Sequence, residues 1–163
     1  KYSVYEGGTR TPFITCWPGT ISPGVSNQMV CTIDLATSLN HLVNHHIHEN
    51  DCLDSIDVSD ALLGKKGAKG RDHLIQQDNG NNGNYGLRVG NWKLLRHERG
   101  KARNVLVEQE LANTTVPKYQ LFDLNSDPAE KKNLYETATE QAKTLTAQLQ
   151  KAIDNGRTRP TGH

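Results

Sequence analysis

The most regular hydrophobic pattern lies near the end of the chain and predicts an amphipathic helix over residues 138–153. One face of this helix carries the apolar residues Ala138, Ala142, Leu145, Leu149 and Ala152. Thr137 and Glu140 have the spacing of a capping box, and Asn155-Gly156 ends the pattern. Such a stripe needs a partner surface, so we expect it to pack on a neighbouring element.

Alternating apolar residues predict a β-hairpin in the second half of the chain. Gly90-Asn91 has the composition of a two-residue turn. That turn length places Val89 opposite Trp92 and Leu87 opposite Leu94, all on one side of the hairpin.

A further strand is predicted over residues 119–124 (YQLFDL), where Asn125-Ser126-Asp127-Pro128 ends the run. The apolar side of this antiparallel sheet is the natural partner for the helix stripe. We therefore predict a small α+β unit in which the C-terminal helix covers the sheet.

The first part of the chain has a pattern typical of a parallel sheet. Residues 12–17 (PFITCW) are mostly apolar and end in a turn, which predicts a buried strand. A helix follows, with Thr32 as its N-cap. Its apolar face carries Leu35, Leu39, Leu42 and Val43. A parallel strand needs neighbours, so we predict the last strand and helix of a larger α/β sheet.

Charge and hydropathy exclude two kinds of partner. The chain has 19 basic and 18 acidic residues, a formal net charge of +1, whereas nucleic-acid binding usually requires a basic excess. No apolar run approaches the roughly 20 residues that span a bilayer. The sequence therefore predicts neither a nucleic-acid partner nor a membrane partner.

The best candidate for chemistry is the segment before the predicted parallel strand. Gly7-Gly8 lets the backbone turn tightly or approach a ligand. Lys1, Glu6 and Arg10 place charges beside that turn, at the edge of an α/β sheet where ligands often bind. A plain turn is the alternative, and the residues alone leave both interpretations open.

This segment resembles the sulfatase signature K-x-x-x-Y-E-G-G-x-R-x-P, which is followed by W-P-G and P-G. The matching residues are Lys1, Tyr5-Glu6-Gly7-Gly8, Arg10, Pro12, Trp17-Pro18-Gly19 and Pro23-Gly24. Later family markers follow in order: Asp34-Leu35, Ala61-Leu62-Leu63-Gly64, Leu87-Arg88 with Gly90 and Trp92-Lys93, then Leu121 to Leu124 with Asp127-Pro128, Glu130 and Asn133-Leu134. The chain thus resembles the C-terminal part of a sulfatase.

The resemblance implies an alkaline-phosphatase-like fold. Residues 1–64 would end the catalytic domain, and residues 65–163 would form a C-terminal subdomain. It also implies a sulfuric ester hydrolase (arylsulfatase-like), a sulfated carbohydrate or aryl sulfate substrate, and a periplasmic or secreted location. In this family a Cys or Ser in a C/S-x-P-S/A-R motif becomes formylglycine, and aspartates with an asparagine hold a divalent cation, usually calcium.

This chain would contribute little of that site. It lacks the C/S-x-P-S/A-R motif and the upstream metal ligands, so we expect no metal or cofactor site in it and no activity by itself. Lys1 matches the lysine that contacts the sulfate. Glu6 and Arg10 would support that lysine without touching the sulfate. The remainder of the catalytic domain is the implied partner.

Three other polar groups could be functional, but each also has an ordinary structural explanation. Asp78-Asn79-Gly80 resembles the metal-binding Asp-Asn pair but follows the Glu-Gly-Gly segment, so a polar loop is predicted. His73 could reach a substrate, or it could be an ordinary strand-edge histidine. A histidine group includes an i, i+4 pair that could bind zinc, but solvated helix-end histidines are favoured: His41, His45, His46 and His48.

Two other functions stay open on the sequence. The chain could be a non-catalytic binding or structural module, or part of a phosphatase or phosphonate hydrolase of the same superfamily. The nucleophile motif upstream separates them, because only a sulfatase requires C/S-x-P-S/A-R.

Overall fold

The computed structural model describes residues 2–80, 83–102 and 115–159, which form two compact units. The first unit joins residues up to Pro12 to the stretch His73–Lys151, and the second joins Phe13–Asp72 to the chain from Ala152 onward. The helices of the described chain are α1 (Glu6–Thr9), α2 (Asp34–Leu42), α3 (Ser59–Leu62) and α4 (Thr139–Asn155). Among them, none is long and apolar enough to cross a bilayer.

A four-stranded antiparallel sheet forms the centre of the first unit. Its strands lie side by side in chain order: β1 (His73–Gln77), β2 (Asn84–Val89), β3 (Trp92–His97) and β4 (Tyr119–Asp123). The predicted hairpin is confirmed, since Val89 lies opposite Trp92 and Leu87 opposite Leu94. Gly90 takes a φ of +56° in the turn, which glycine adopts without a steric penalty.

One face of the sheet is covered by α4, as predicted. Leu87, Leu94 and Leu121 share this face and are completely buried. The helix contributes three buried residues, Ala142, Leu145 and Leu149. Arg96, on the same face, donates a hydrogen bond to Gln150 at 3.0 Å. Three of the five predicted stripe residues are therefore buried, whereas Ala138 precedes α4 and Ala152 is half-buried.

The predicted capping box of α4 is wrong. The N–H of Thr137, which would bond to Glu140 in such a box, donates to the carbonyl of Leu134 at 3.0 Å. The Glu140 carboxylate instead accepts from Lys143 at 3.1 Å. The chain turns at Leu134 before α4, and the helix begins at Thr139, one residue later than the box implied.

The second unit has a small core beside a buried ion pair. Val58, Ala61 and Leu62 form the core, and Leu35 packs against it. Asp34 is fully buried, and its carboxylate lies 3.1 Å from Nε of Arg71. The predicted N-cap Thr32 is wrong, because Ile33 occupies the N-cap position of α2 without a side-chain bond.

The prediction of a buried strand over residues 12–17 is also wrong for the described chain. These residues form no strand, and Ile14 is 88% exposed and Trp17 50% exposed. The apolar face of α2 is open too, with Leu39 55% and Val43 72% exposed. Strand N–H and C=O groups need a neighbouring strand, and the sheet of the described residues belongs to the first unit.

Candidate functional site

Within the Tyr5-Glu6-Gly7-Gly8 segment, Tyr5 is the N-cap of the short helix α1, which runs from Glu6 to Thr9. The carbonyl of Tyr5 accepts from the N–H of Gly8 at 2.8 Å and from that of Thr9 at 3.1 Å. A Cβ on Gly8 would collide with Ser3, within 2.6 Å of its Oγ and 2.8 Å of its N, whereas a Cβ on Gly7 would meet nothing within 4 Å. The second glycine is therefore required by a close backbone approach.

The residues just before α1 cover the second face of the sheet. Val4 is 1% exposed and packs with Leu95 and Phe122. Tyr5 packs against the same group, and its hydroxyl donates to Gln120 at 2.6 Å. The sheet of the first unit is thus buried on both faces, by α4 on one side and by the signature segment on the other.

Tyr5 also contacts His97, whose side chain is fully buried on β3. The two ring centroids are 5.9 Å apart, and Nε2 of His97 lies 3.0 Å from the side-chain oxygen of Gln120. Burial lowers the pKa of His97 and raises the pKa of Tyr5, because both charged forms are poorly solvated here. Both side chains are therefore neutral near neutral pH.

The charged part of the segment meets three residues that we group with Glu6 as the Glu6 cluster: Glu6, Arg88, Lys93 and Glu130. Oε1 of Glu6 lies 2.7 Å from Nζ of Lys93, and Oε2 lies 3.2 Å from Arg88. The backbone N–H of Glu6 donates to Oε2 of Glu130 at 2.7 Å. Lys93 is completely buried. Two carboxylates and two cations thus meet, so the buried charges compensate each other.

Glu130 combines an unfavourable backbone conformation with a buried carboxyl group. Its φ is +53°, a left-handed conformation that residues with a Cβ seldom adopt. Burial raises the pKa of its carboxyl, which the ammonium of Lys93 offsets only in part. Its Oε1 has no hydrogen-bond partner among the described residues and lies 3.8 Å from Nζ of Lys93.

Comparison with known proteins shows the family of this chain. The family model described as N-sulphoglucosamine sulphohydrolase, C-terminal, matches residues 1–159. The chain belongs to the sulfatase family. It is 33% identical over 150 residues to an N-acetylgalactosamine-6-O-sulfatase of Bacteroides thetaiotaomicron, covering 92% of this chain and 28% of that protein. It is 30% identical over 174 residues to arylsulfatase A of Homo sapiens, covering 96% of this chain and 34% of that protein.

A solved structure supports the same sulfatase assignment. It comes from work on the metabolism of glycosaminoglycans by Bacteroides thetaiotaomicron, and it superposes with a TM-score of 0.79 at 30% identity. The match covers 93% of this chain and 31% of that chain. The described chain therefore spans about a third of the length of the sulfatases it matches.

The four sulfatase site residues predicted from the sequence lie in different settings. Lys1 is outside the described residues. Glu6 lies in the Glu6 cluster, and Arg10 is exposed, with its N–H donating to the carbonyl of Glu6 at 2.8 Å. His73 begins the edge strand β1 opposite Val89. The structure thus brings one of the predicted residues, Glu6, into a cluster of buried charges.

Three members of that cluster were not predicted as functional residues. Arg88 and Lys93 lie in the hairpin marker of the sulfatases, and Glu130 follows the Asp127-Pro128 marker. Their partner Glu6 lies 82 residues from Arg88, 87 from Lys93 and 124 from Glu130 in the sequence. The marker positions were the available signal, but nothing in the local sequence pairs them with Glu6.

Two of the polar groups considered as metal ligands, Asp78-Asn79 and His41, make other contacts in the structure. Asp78 is buried and accepts from Asn84 at 2.7 Å, while the N–H of Asn79 donates to the carbonyl of Tyr2 at 3.4 Å. Nδ1 of His41 lies 2.7 Å from Asp57. Across residues 2–80, 83–102 and 115–159, no group of three or more His, Cys, Asp or Glu side chains could hold a metal ion.

Proposed function

We propose that this chain is the C-terminal part of a sulfuric ester hydrolase that acts on a sulfated carbohydrate or an aryl sulfate. The observation that carries the proposal is the family match over residues 1–159, which includes both the signature segment and the later markers. The named relatives, an N-acetylgalactosamine-6-O-sulfatase and an arylsulfatase, support this substrate class.

In this proposal, Lys1 contacts the sulfate group. A lysine ammonium is a compact point charge that suits a tetrahedral anion, and a positioned cation stabilises the charge that develops in the transition state. Glu6 and Arg10 support the lysine from within the same segment. A contact between His73 and the substrate also stays a prediction.

Calcium and formylglycine belong to the rest of the enzyme in this proposal. The described residues offer no set of ligands for a metal, and the sequence contains no C/S-x-P-S/A-R motif. The contribution of this chain is therefore one cation and the scaffold that holds it.

The partner of the chain is the remainder of the sulfatase catalytic domain. Residues 1–64 would complete that domain, and residues 65–163 would form the C-terminal subdomain. Exposed apolar side chains of the second unit support such a partner, since patches of this kind mark interaction surfaces. They include Phe13, Ile14, Trp17, Val25, Leu39 and Val43.

An assay of two proteins tests the proposal. The longer protein, extended through its upstream region, should hydrolyse an aryl sulfate and a sulfated amino sugar faster than the matching aryl phosphate. The 163-residue chain should show no turnover above a blank, because it lacks the nucleophile. Faster hydrolysis of the phosphate would indicate a phosphatase, and no hydrolysis of either ester would indicate a binding or structural module.

A further inference from the structure

We propose that Glu130 and Lys93 are positioning residues: they hold the segment that begins with Lys1, and they act on the substrate only through it. The inference deepens the proposed function and rests on the role given there to Lys1. Neither residue would touch the sulfate. Their part is to fix Glu6 and, through it, the segment that follows Lys1 in the chain.

The segment is held over nearly its whole length. Ser3 and Val4 are buried, Tyr5 is bonded to Gln120, and Glu6 is bonded through both its carboxylate and its N–H. Between Lys1 and the first buried residue there is one residue, Tyr2. Lys1 is therefore two residues in the sequence from a part of the chain that is held on the sheet.

Glu130 has a backbone conformation that disfavours glutamate, yet its carboxylate makes a specific contact. A turn residue with a φ of +53° would ordinarily be Gly or Asn. A carboxylate stands there instead, buried, and accepts the N–H of Glu6 at 2.7 Å. A strained residue persists where the surrounding structure over-determines it, and such residues gather at functional sites. We therefore assign the hydrogen bond to Glu6 as the functional contact of this strained residue.

Lys93 joins the two carboxylates of the cluster. Its ammonium lies 2.7 Å from Glu6 and 3.8 Å from Glu130, and it also donates to Oγ1 of Thr9 at 3.3 Å. Both ends of α1 are thus tied to one buried cation on β3. Misplacing a reacting group by about 1 Å can cost about 10²-fold in rate, so this attachment bears on catalysis.

A double-mutant cycle in the longer sulfatase separates positioning from simple stabilisation. The single variants are Lys1→Ala and Glu130→Gly, and glycine is chosen because it relieves the strained φ and keeps the protein folded. Glu130→Gly should lower kcat by about 10-fold, and Lys1→Ala by about 10²-fold. The double variant should match Lys1→Ala alone, because Glu130 acts through the lysine. Independent, multiplying losses would overturn the inference.

Two further variants control the cycle. Glu130→Gln keeps an acceptor for the N–H of Glu6 and should recover most of the lost kcat. Glu140→Ala, on the exposed surface of α4, should leave kcat unchanged. A Glu130→Gly enzyme with wild-type kcat and an unchanged melting temperature would contradict the proposal.

Hydrogen exchange on the 163-residue chain tests the attachment without reference to activity. In Glu130→Gly, the amides of residues 3–9 should exchange at least about 10-fold faster than in the wild-type chain, since the N–H of Glu6 loses its acceptor. Unchanged exchange there would overturn the inference whatever the kinetics show. If exchange accelerates but Lys1→Ala keeps full turnover, the role of Lys1 has failed while the attachment stands.

Discussion

At the scale of single residues, the signature segment is explained by what each side chain contacts. Val4 fills the apolar part of the second sheet face, and Tyr5 bonds to Gln120. Glu6 neutralises Lys93, and Gly8 admits the backbone of Ser3. The Tyr-Glu-Gly-Gly sequence therefore specifies an attachment to the sheet.

The two glycines of the segment give a matched pair of variants. Gly8→Ala should destabilise the chain by about 1–3 kcal/mol, because its Cβ overlaps backbone atoms of Ser3 that cannot move away freely. Gly7→Ala places its Cβ in open space and should be neutral or slightly stabilising. Urea melts of both variants check this. Equal stabilities for the two would mean that the close approach at Gly8 is absent in solution.

His97 should give the chain a measurable dependence on pH. Its folded pKa lies below the ordinary 6.5, so the unfolded state binds a proton first as the pH falls. Its contribution to stability is therefore present above about pH 6.5 and is lost as the pH falls from there through the folded pKa. Burial is the main cause, opposed by the bond to Gln120 and by the nearby charge of Asp78.

Denaturant melts between pH 7.5 and pH 5 measure this contribution. The free energy of unfolding should fall less for His97→Gln than for the wild-type chain over that range. His45→Gln, at an exposed position, should follow the wild-type curve. A His97→Gln curve parallel to the wild type would show that His97 does not titrate between these limits.

At the scale of elements, local pattern and turn chemistry predicted the hairpin, the last strand and α4 correctly. The register around Gly90-Asn91 follows from a two-residue turn, which needs information from only a few neighbouring residues. Residues 12–17 have the composition of a buried strand, but a strand also requires a partner, and composition does not supply one. That is why the same kind of reasoning failed there.

The contact between α4 and the sheet can be tested at Leu149, which is 1% exposed. Leu149→Ala should lower the free energy of unfolding by about 2–5 kcal/mol, through lost burial and the cavity left behind. Lys143→Ala, on the exposed side of the same helix, should change it by less than about 0.5 kcal/mol. A loss below that limit for Leu149→Ala would mean that α4 does not cover the sheet.

At the scale of the whole molecule, the site could be predicted only in part. The resemblance to the sulfatases singled out Glu6, but its partners lie 82 to 124 residues away and are joined to it only by the fold. The sequence does not distinguish Lys93 and Glu130 from solvated surface residues, since most lysines and glutamates in proteins are exposed. Their burial follows from the signature segment lying over the second face of the sheet.

The central claim is that this chain supplies a sulfate-contacting cation to a sulfatase, and steady-state hydrolysis of an aryl sulfate by the longer enzyme tests it most directly. Lys1→Ala should lower kcat by about 10²-fold or more while leaving the melting temperature unchanged, because in the proposal the lysine stabilises the transition state rather than the fold. Wild-type turnover by a Lys1→Ala enzyme that melts normally would contradict the claim.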